Sequence, residues 1–386
     1  MIIEEIDTLV VDSHRANWIF CRVRTKDGLE GYGEASLEFQ EQAVVAAIDD
    51  MAVHLIGRNV HEVRRLHFEM ERNVYWRFGP IQRSAWSGIE LALWDLLGKE
   101  QNLPVHRLLG GAIHSQLPLY ANAWFVGCAT PDEFAEAARQ ATSQGFSKLK
   151  WDPFGQAHKT LSQRHLNHSM EIVRAVREAV GSDVDLLIEG HGRFNLHGAL
   201  RTGQRLEEFG ITWFEEPLEP GSPAQLGALR QRLRVPVAAG ERCYSRFDVQ
   251  SLLTAGAVDV IQPDICHVGG LQEMMRINAL ADSFQIAISP HNPNGPICHA
   301  ATIQFGAMCE NLFAVETMIN DVSWRGEIAD EEYVFADGNV HVPSRPGWGV
   351  DINWEAGKNF PFTRGVLRHY EGQVTDIHPP ESGRWF

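Results

Sequence analysis

Three glutamates recur at a fixed interval in short apolar settings. They are Glu189 in LLIEGH, Glu215 in WFEEP and Glu241 in AAGE, each 26 residues after the last. One β/α unit per step places the three carboxylates at successive strand ends, converging above a barrel mouth. Anionic oxygens held that close repel one another unless a hard cation sits among them, and Mg2+ prefers such ligands while leaving positions for water or substrate. One such glutamate alone reads as a solvated acid. Three at this period read as ligands of one Mg2+ per subunit.

Asp264 in VIQPD and His291 in ISPH follow at further strand ends, 23 and then 27 residues on. A carboxylate on the neighbouring strand orients the ring and raises its basicity, so His291 is the candidate general base; the alternative is a structural histidine tied to an aspartate. In KLKWD, period-2 alternation sends Lys148, Lys150 and Asp152 to one face and Trp151 to the other. Lys150 is read as a substrate-binding lysine, or as a base if burial lowers its pKa. His191, two residues beyond Glu189, projects to the same side and could protonate a leaving hydroxide. Glu316 in AVET lies at the eighth strand, where it could bond His291, bond a substrate hydroxyl, or be structural.

These groups need a scaffold that brings strand ends together. From about residue 119, short apolar strands alternate with helices of ten or more residues: PLYANAWF, KLKWD, DLLIEGH, ITWFEEP, VPVAAGE, VIQPDI, IAISPH and LFAVET are separated by stretches such as PDEFAEAARQATSQG and HSMEIVRAVREAVG. Eight strands with intervening helices are enough to close a parallel barrel. Before them, WIFCRVRT and GLEGYGEA form a hairpin around Lys26-Asp27-Gly28, and AWSGIELALWDLLGKEQNLPVHRLLGG carries helical spacing up to Gly110-Gly111. This divides the chain into an α+β cap over 1–120, a barrel over 121–330 and a loop-rich segment over 331–386 that returns to the cap.

The 386 residues suffice for a large and a smaller domain, and 44% hydrophobic with 22% charged residues is the composition of a folded globular chain. A formal charge of -16 argues against nucleic acid or an anionic membrane as partner, but not against a small anionic substrate handled locally by a cation. The six cysteines include no CxxC pair, and the first residues carry acids where a signal peptide carries lysines. A cytoplasmic protein without a membrane span is expected.

The motifs KLKWDPFG, LLIEGHGRFN, WFEEP, AAGERCYSRFD, IQPDICHVGG and ISPHNPNGPI, with GYGEA and ALWDLLGK before them and PGWGV after, resemble the enolase superfamily, mandelate racemase subgroup, and within it the acid-sugar dehydratases. The resemblance implies a modified (β/α)7β TIM-like barrel with an α+β N-terminal cap completed by the C-terminal tail. It implies Mg2+ on Glu189, Glu215 and Glu241, an Asp264–His291 dyad, His191 as proton donor to the departing hydroxyl, and Glu316 beside the dyad. Two departures matter: the first metal ligand is often aspartate and here is Glu189, and Asp152 occupies the second position of the racemase KxK motif, of which Lys150 is the first. A racemase needs bases on both faces of its substrate, whereas an elimination needs one base and one acid. Dehydration of an aldonate such as galactonate or gluconate to a 2-keto-3-deoxy acid is therefore expected, with a lactone cycloisomerase or a racemase using Lys150 as rivals. A non-catalytic binding protein would have lost a ligand or the dyad. Asp152, Trp18, Arg77 and His267 are the candidate substrate contacts, with specificity residing in the cap around 14–18 and 72–80. Assembly as a homo-oligomer is expected.

Overall fold

A computed structural model describes residues 1–365 except Arg15, Val74, Arg77, Gln156 and Asn320. The cap opens with the antiparallel sheet β1 (Ile3–Asp12), β2 (Asn17–Thr25) and β3 (Glu30–Glu34). The β2–β3 hairpin turns at Gly28, whose φ of +83° is open to glycine at no steric cost. Helices α1 (Glu41–Leu55) and α3 (Pro80–Gln101) pack on this sheet, α2 (Val63–Asn73) packs against α3, and the single turn α4 (Val105–Leu108) follows. The contact between β3 and α3 is close enough that a Cβ on Gly33 would collide with the carbonyl of Gly88, which accounts for the small residues of GYGE.

The barrel strands are β4 (Gln116–Asn122), β5 (Lys148–Trp151), β6 (Asp185–Glu189), β7 (Trp213–Glu215), β8 (Val237–Ala239), β9 (Val260–Ile261), β10 (Ala287–Ile288) and β11 (Val315–Met318). They pair in parallel and in sequence order from β4 to β10; β11 closes on β4, and Ile288 bridges Leu312 just before β11. Between them run α5 (Pro131–Ser143), α6 (Gln163–Val180), α7 (Leu196–Leu206), α8 (Pro223–Arg230), α9 (Arg246–Thr254), α10 (Leu271–Ser283) and α11 (Pro296–Gly306). Among the described residues this makes the eight strands and seven helices of a (β/α)7β barrel. The first of these strands straddles residue 120, where the sequence pattern divides cap from barrel.

Local chemistry explains the boundaries. Thr130 and Glu133 form a capping box around Pro131 at the start of α5. Helix α6 begins at Gln163, earlier than the pattern HSMEIVRAV suggests, because Ser162 accepts from His165 N and caps it there. Alternation along the strands divides the core. Tyr120, Leu187, Trp213, Ala238, Val260 and Ala314 fill the barrel interior, while residues of opposite parity meet the helices in the main core.

The chain past the barrel forms α12 (Arg325–Ile328), the hairpin β12 (Phe335–Ala336) and β13 (Asn339–His341), which adds antiparallel to β4, and α13 (Trp354–Gly357). It then meets the cap: Trp348 donates its N–H to Asp95 and its indole N–H to Leu91 O of α3. Two cap carboxylates hold barrel helices by their N-termini. Glu34 accepts from Gly295 N at 2.7 Å and Cys298 N at 2.9 Å at the start of α11. Glu90 accepts from Leu271 N at 2.8 Å and Gln272 N at 3.2 Å at the start of α10. Burial pushes both up, Glu34 to about 6 and Glu90 to about 7, against the N–H bonds that favour their charge. No helix among the described residues is long and apolar enough to cross a membrane.

Candidate active site

Strands β6 and β7 end on Glu189 and Glu215, and Glu241 follows β8 by two residues. Register pairs Glu189 with Glu215 directly, and an oxygen of each of the three carboxylates lies within 4.8 Å of the others. Glu189 Oε2 is buried and has no hydrogen-bond partner. Burial first and then the facing carboxylates push Glu189 and Glu215 upward. Glu241 is held down at about 2 in spite of burial, because Arg242 and the imidazoles of His291 and His191 favour its charge. Three hard oxygens, one of them orphaned, fit a divalent cation of the Mg2+ type.

Lys150 enters this cluster from below. Its ammonium lies 2.8 Å from Glu215, 2.8 Å from Glu316 and 3.5 Å from Glu189, over the ring of Tyr120. Alternation does send Lys148 and Lys150 inward, but the Lys150 side chain is only 4% exposed. Read from sequence as a substrate-binding lysine, Lys150 here sits among the carboxylates. It neutralises carboxylates, which raise its pKa against the effect of burial. Glu316 bonds Lys150, Asn122 Nδ2 at 2.8 Å and Asn292 N at 2.8 Å, and not His291.

Two Asp–His pairs flank the cluster. His291 Nδ1 meets Asp264 Oδ2 at 2.8 Å, and its Nε2 points to Glu241 Oε2 at 3.4 Å. Asp264 is fixed by Cys266 N at 2.7 Å and Asn294 Nδ2 at 2.9 Å. Burial opposes a charge on His291, but Glu241, Asp264 and Glu316 together push it up to about 10. A cation shared by the glutamates would take over that neutralisation. The second pair is His191 Nδ1 with Asp152 Oδ2 at 2.6 Å. Asp152 also pairs with the guanidinium of Arg193, and its Oδ1 accepts from Phe154 N at 2.8 Å.

Asp152, read from sequence as a candidate substrate contact, is engaged by His191 and Arg193, with a side chain 1% exposed. The candidate contacts Trp18 and His267 lie where cap meets barrel. Trp18 is 2% exposed beneath the Arg325 guanidinium, and His267 Nε2 is bonded to Ser36 O of the cap at 3.0 Å. Both stitch cap to barrel. Arg77 lies outside the described residues. Tyr75 and Trp76, in the cap segment read as a specificity element, stack edge to face and are exposed. The residues missed from sequence are Arg193, Asn294, Asn122 and Arg242. All four lay within stretches already singled out, LLIEGHGRFN, ISPHNPNGPI, PLYANAWF and AAGERCYSRFD; the clearest signal was Arg193, an arginine beside strand-end apolars, which points to a buried ion pair.

An enolase C-terminal domain-like family model matches residues 133–356, and a mandelate racemase / muconate lactonizing enzyme N-terminal domain model matches residues 5–110. The chain is 34% identical to a D-gluconate dehydratase of Thermoproteus tenax over 99% of this chain and 77% of that protein. It is 31% identical to a D-galactonate dehydratase of Pectobacterium atrosepticum, over 93% of this chain and 96% of that protein. Among solved structures, a member of the enolase superfamily from Salmonella Typhimurium superposes with a TM-score of 0.89 at 27% identity, over 93% of this chain and 98% of that one. A mandelate racemase/muconate lactonizing enzyme-like protein from Roseovarius sp. TM1035 superposes with a TM-score of 0.88 at 27% identity, over 95% and 97%.

Proposed function

The chain belongs to the mandelate racemase / muconate lactonizing enzyme family of the enolase superfamily, and on that footing we propose that it is a hydro-lyase converting an aldonate to its 2-keto-3-deoxy acid. The observation that carries this reading is the pair of histidines beside the glutamate cluster, one after β6 and one after β10, each with its own aspartate. The dehydratase names of the relatives point the same way, to a sugar acid with a neutral polyol tail.

Glu189, Glu215 and Glu241 would hold Mg2+, which supplies positive charge to the substrate carboxylate as negative charge develops at C2. His291 Nε2 accepts the C2 proton, with Asp264 holding Nδ1–H and hence the tautomer. The electron pair left at C2 forms the C2–C3 double bond as the C3–O bond breaks. His191, as the imidazolium, gives its Nε2 proton to that oxygen, which leaves as water, and keeps its Nδ1–H on Asp152; the enol tautomerises to the 2-keto acid. Lys150 keeps the cluster from repelling itself apart and touches no reacting atom in this scheme.

Incubating the Mg2+-loaded protein with a panel of aldonates and aldarates, and trapping 2-keto acids as semicarbazones, tests the reading. Keto-acid formation from an aldonate is the expected result. Appearance of a C2 epimer at a comparable rate would favour racemisation, and an absence of keto acid from every member would end the dehydratase reading.

A further inference from the structure

We propose that the buried Asp152–Arg193 ion pair is the positioning device of His191, fixing which ring nitrogen carries the transferable proton and where it points. The inference rests on the reading of His191 as proton donor. Nothing in the racemase-type motif asks for an aspartate two residues after Lys150, yet here that aspartate is buried and fully engaged, with side chains of Asp152 and Arg193 1% and 0% exposed.

A carboxylate can only accept, so the 2.6 Å contact with Asp152 Oδ2 obliges Nδ1 of His191 to be protonated. In the imidazolium the second proton is then on Nε2, the atom left to face substrate, and the ring that remains after transfer keeps Nδ1–H. Asp152 cannot swing away to follow another partner, because Phe154 N holds Oδ1 and Arg193 holds Oδ2. Arg193 in turn cannot leave. It donates to Gly190 O at 3.0 Å and Gly155 O at 2.7 Å, tying the loop after β5 to the loop after β6. These bonds also fix an uncommon backbone. His191 has φ +50°, which a residue with a Cβ adopts only when its surroundings over-determine it; here its N–H is bound to Glu189 Oε1 at 2.7 Å and its carbonyl accepts from Arg242. The same backbone bond links the proton donor to a carboxylate of the glutamate cluster, so the ring is placed relative to both.

A pair needed only for folding would be replaceable by apolar residues at little cost to stability. A positioning pair would not be replaceable in catalysis. In Asp152→Asn a neutral amide that can present either its oxygen or its NH2 replaces the carboxylate, so neither the Nδ1–H bond nor the direction of Nε2 is held. With D-gluconate in D2O, we expect Asp152→Asn and His191→Asn to share one signature. Keto-acid formation falls by about 10²-fold or more, the scale of a lost general acid. Deuterium still enters C2 through His291, and KM stays within a few-fold of wild type. 3-Deoxy-3-fluoro-D-gluconate adds a readout that a structural role would not move. Fluoride leaves without being protonated, so its release should survive in both variants.

If Asp152→Asn fails to fold because it strands Arg193, Asp152→Leu/Arg193→Met removes both charges together and is expected to give the same signature. Dehydration by a folded Asp152 variant within about three-fold of wild type would overturn the proposal. So would parallel loss of dehydration, C2 exchange and fluoride release, which would mark the pair as structural. Failure of the wild-type protein to form keto acid from D-gluconate or D-galactonate would instead strike the functional reading beneath it.

Discussion

The two Asp–His pairs are alike in geometry and unlike in what stands behind them. Asp264 is held by a backbone N–H and the amide of Asn294, both neutral. Asp152 is held by a backbone N–H and the guanidinium of Arg193. Burial would raise Asp152, but Arg193 and His191 keep it below the usual carboxylate range. An aspartate without a counter-ion lends its charge to the imidazole and strengthens it as a proton acceptor. An aspartate already matched by a guanidinium lends mainly direction. Identical residue pairs can therefore serve opposite halves of an elimination, and the difference resides in the third residue of each group.

The largest expected effect would break the comparison outright. Stripping the protein of divalent cations with EDTA should abolish activity, and Mg2+ should restore it; activity at full rate in chelator would remove the glutamate cluster from the reaction and leave the two pairs with nothing between them. Glu215→Gln should weaken Mg2+ binding by about 10²-fold, read by calorimetry. Next in size, His291→Asn should lower both C2 deuterium exchange and keto-acid formation by about 10⁴-fold, whereas His191→Asn should spare exchange. Loss of both processes in both variants would erase the division of labour.

A smaller effect sharpens it. Asn294 holds Asp264 as Arg193 holds Asp152, but through a neutral amide. Asn294→Ala should cost about 1 kcal/mol in barrier, hence exchange and dehydration falling together by about five- to tenfold. A selective loss of dehydration would show that the two supports had been assigned to the wrong histidines.

The smallest effect is a control far from either pair. Glu90 is raised to about 7 by burial in the folded protein, against about 4.3 when unfolded. The native state therefore holds its proton more tightly, and the stability this contributes is present below about pH 4.3 and lost as pH rises towards 7. Urea midpoints at pH 5 and pH 8 should show wild type losing stability relative to Glu90→Gln on going to pH 8, by at most about 1.4 kcal/mol per pH unit. A difference that does not change with pH would mean that Glu90 is charged throughout.

Much of the barrel was legible because its signals repeat. The alternation of apolar strands with capped helices and the 26-residue interval of the glutamates are written along the chain, and the eight closing strands follow them. Asp264 and His291 were legible for the same reason, each at a strand end. What could not be read was convergence between segments whose spacing carries no period. Arg193 reaches Asp152 across 41 residues, and Lys150 reaches Glu215 across 65, through side chains whose length and bend no pattern encodes. Trp18 was singled out by its place in the cap segment 14–18, but no pattern in the chain showed that it and His267 would be buried where cap meets barrel.

Glu34 and Glu90 reach out of the cap to close the open ends of the two helices that follow the strands bearing His291 and Asp264. A cap borrowed from a relative would have to carry acids at both places, or leave buried N–H groups unanswered behind the Asp264–His291 pair. The lid and the reaction centre are in that sense inherited together. Recombination between relatives should be tolerated at seams that keep both carboxylates with their helices, and should yield well-folded but sluggish hybrids wherever one of them is lost.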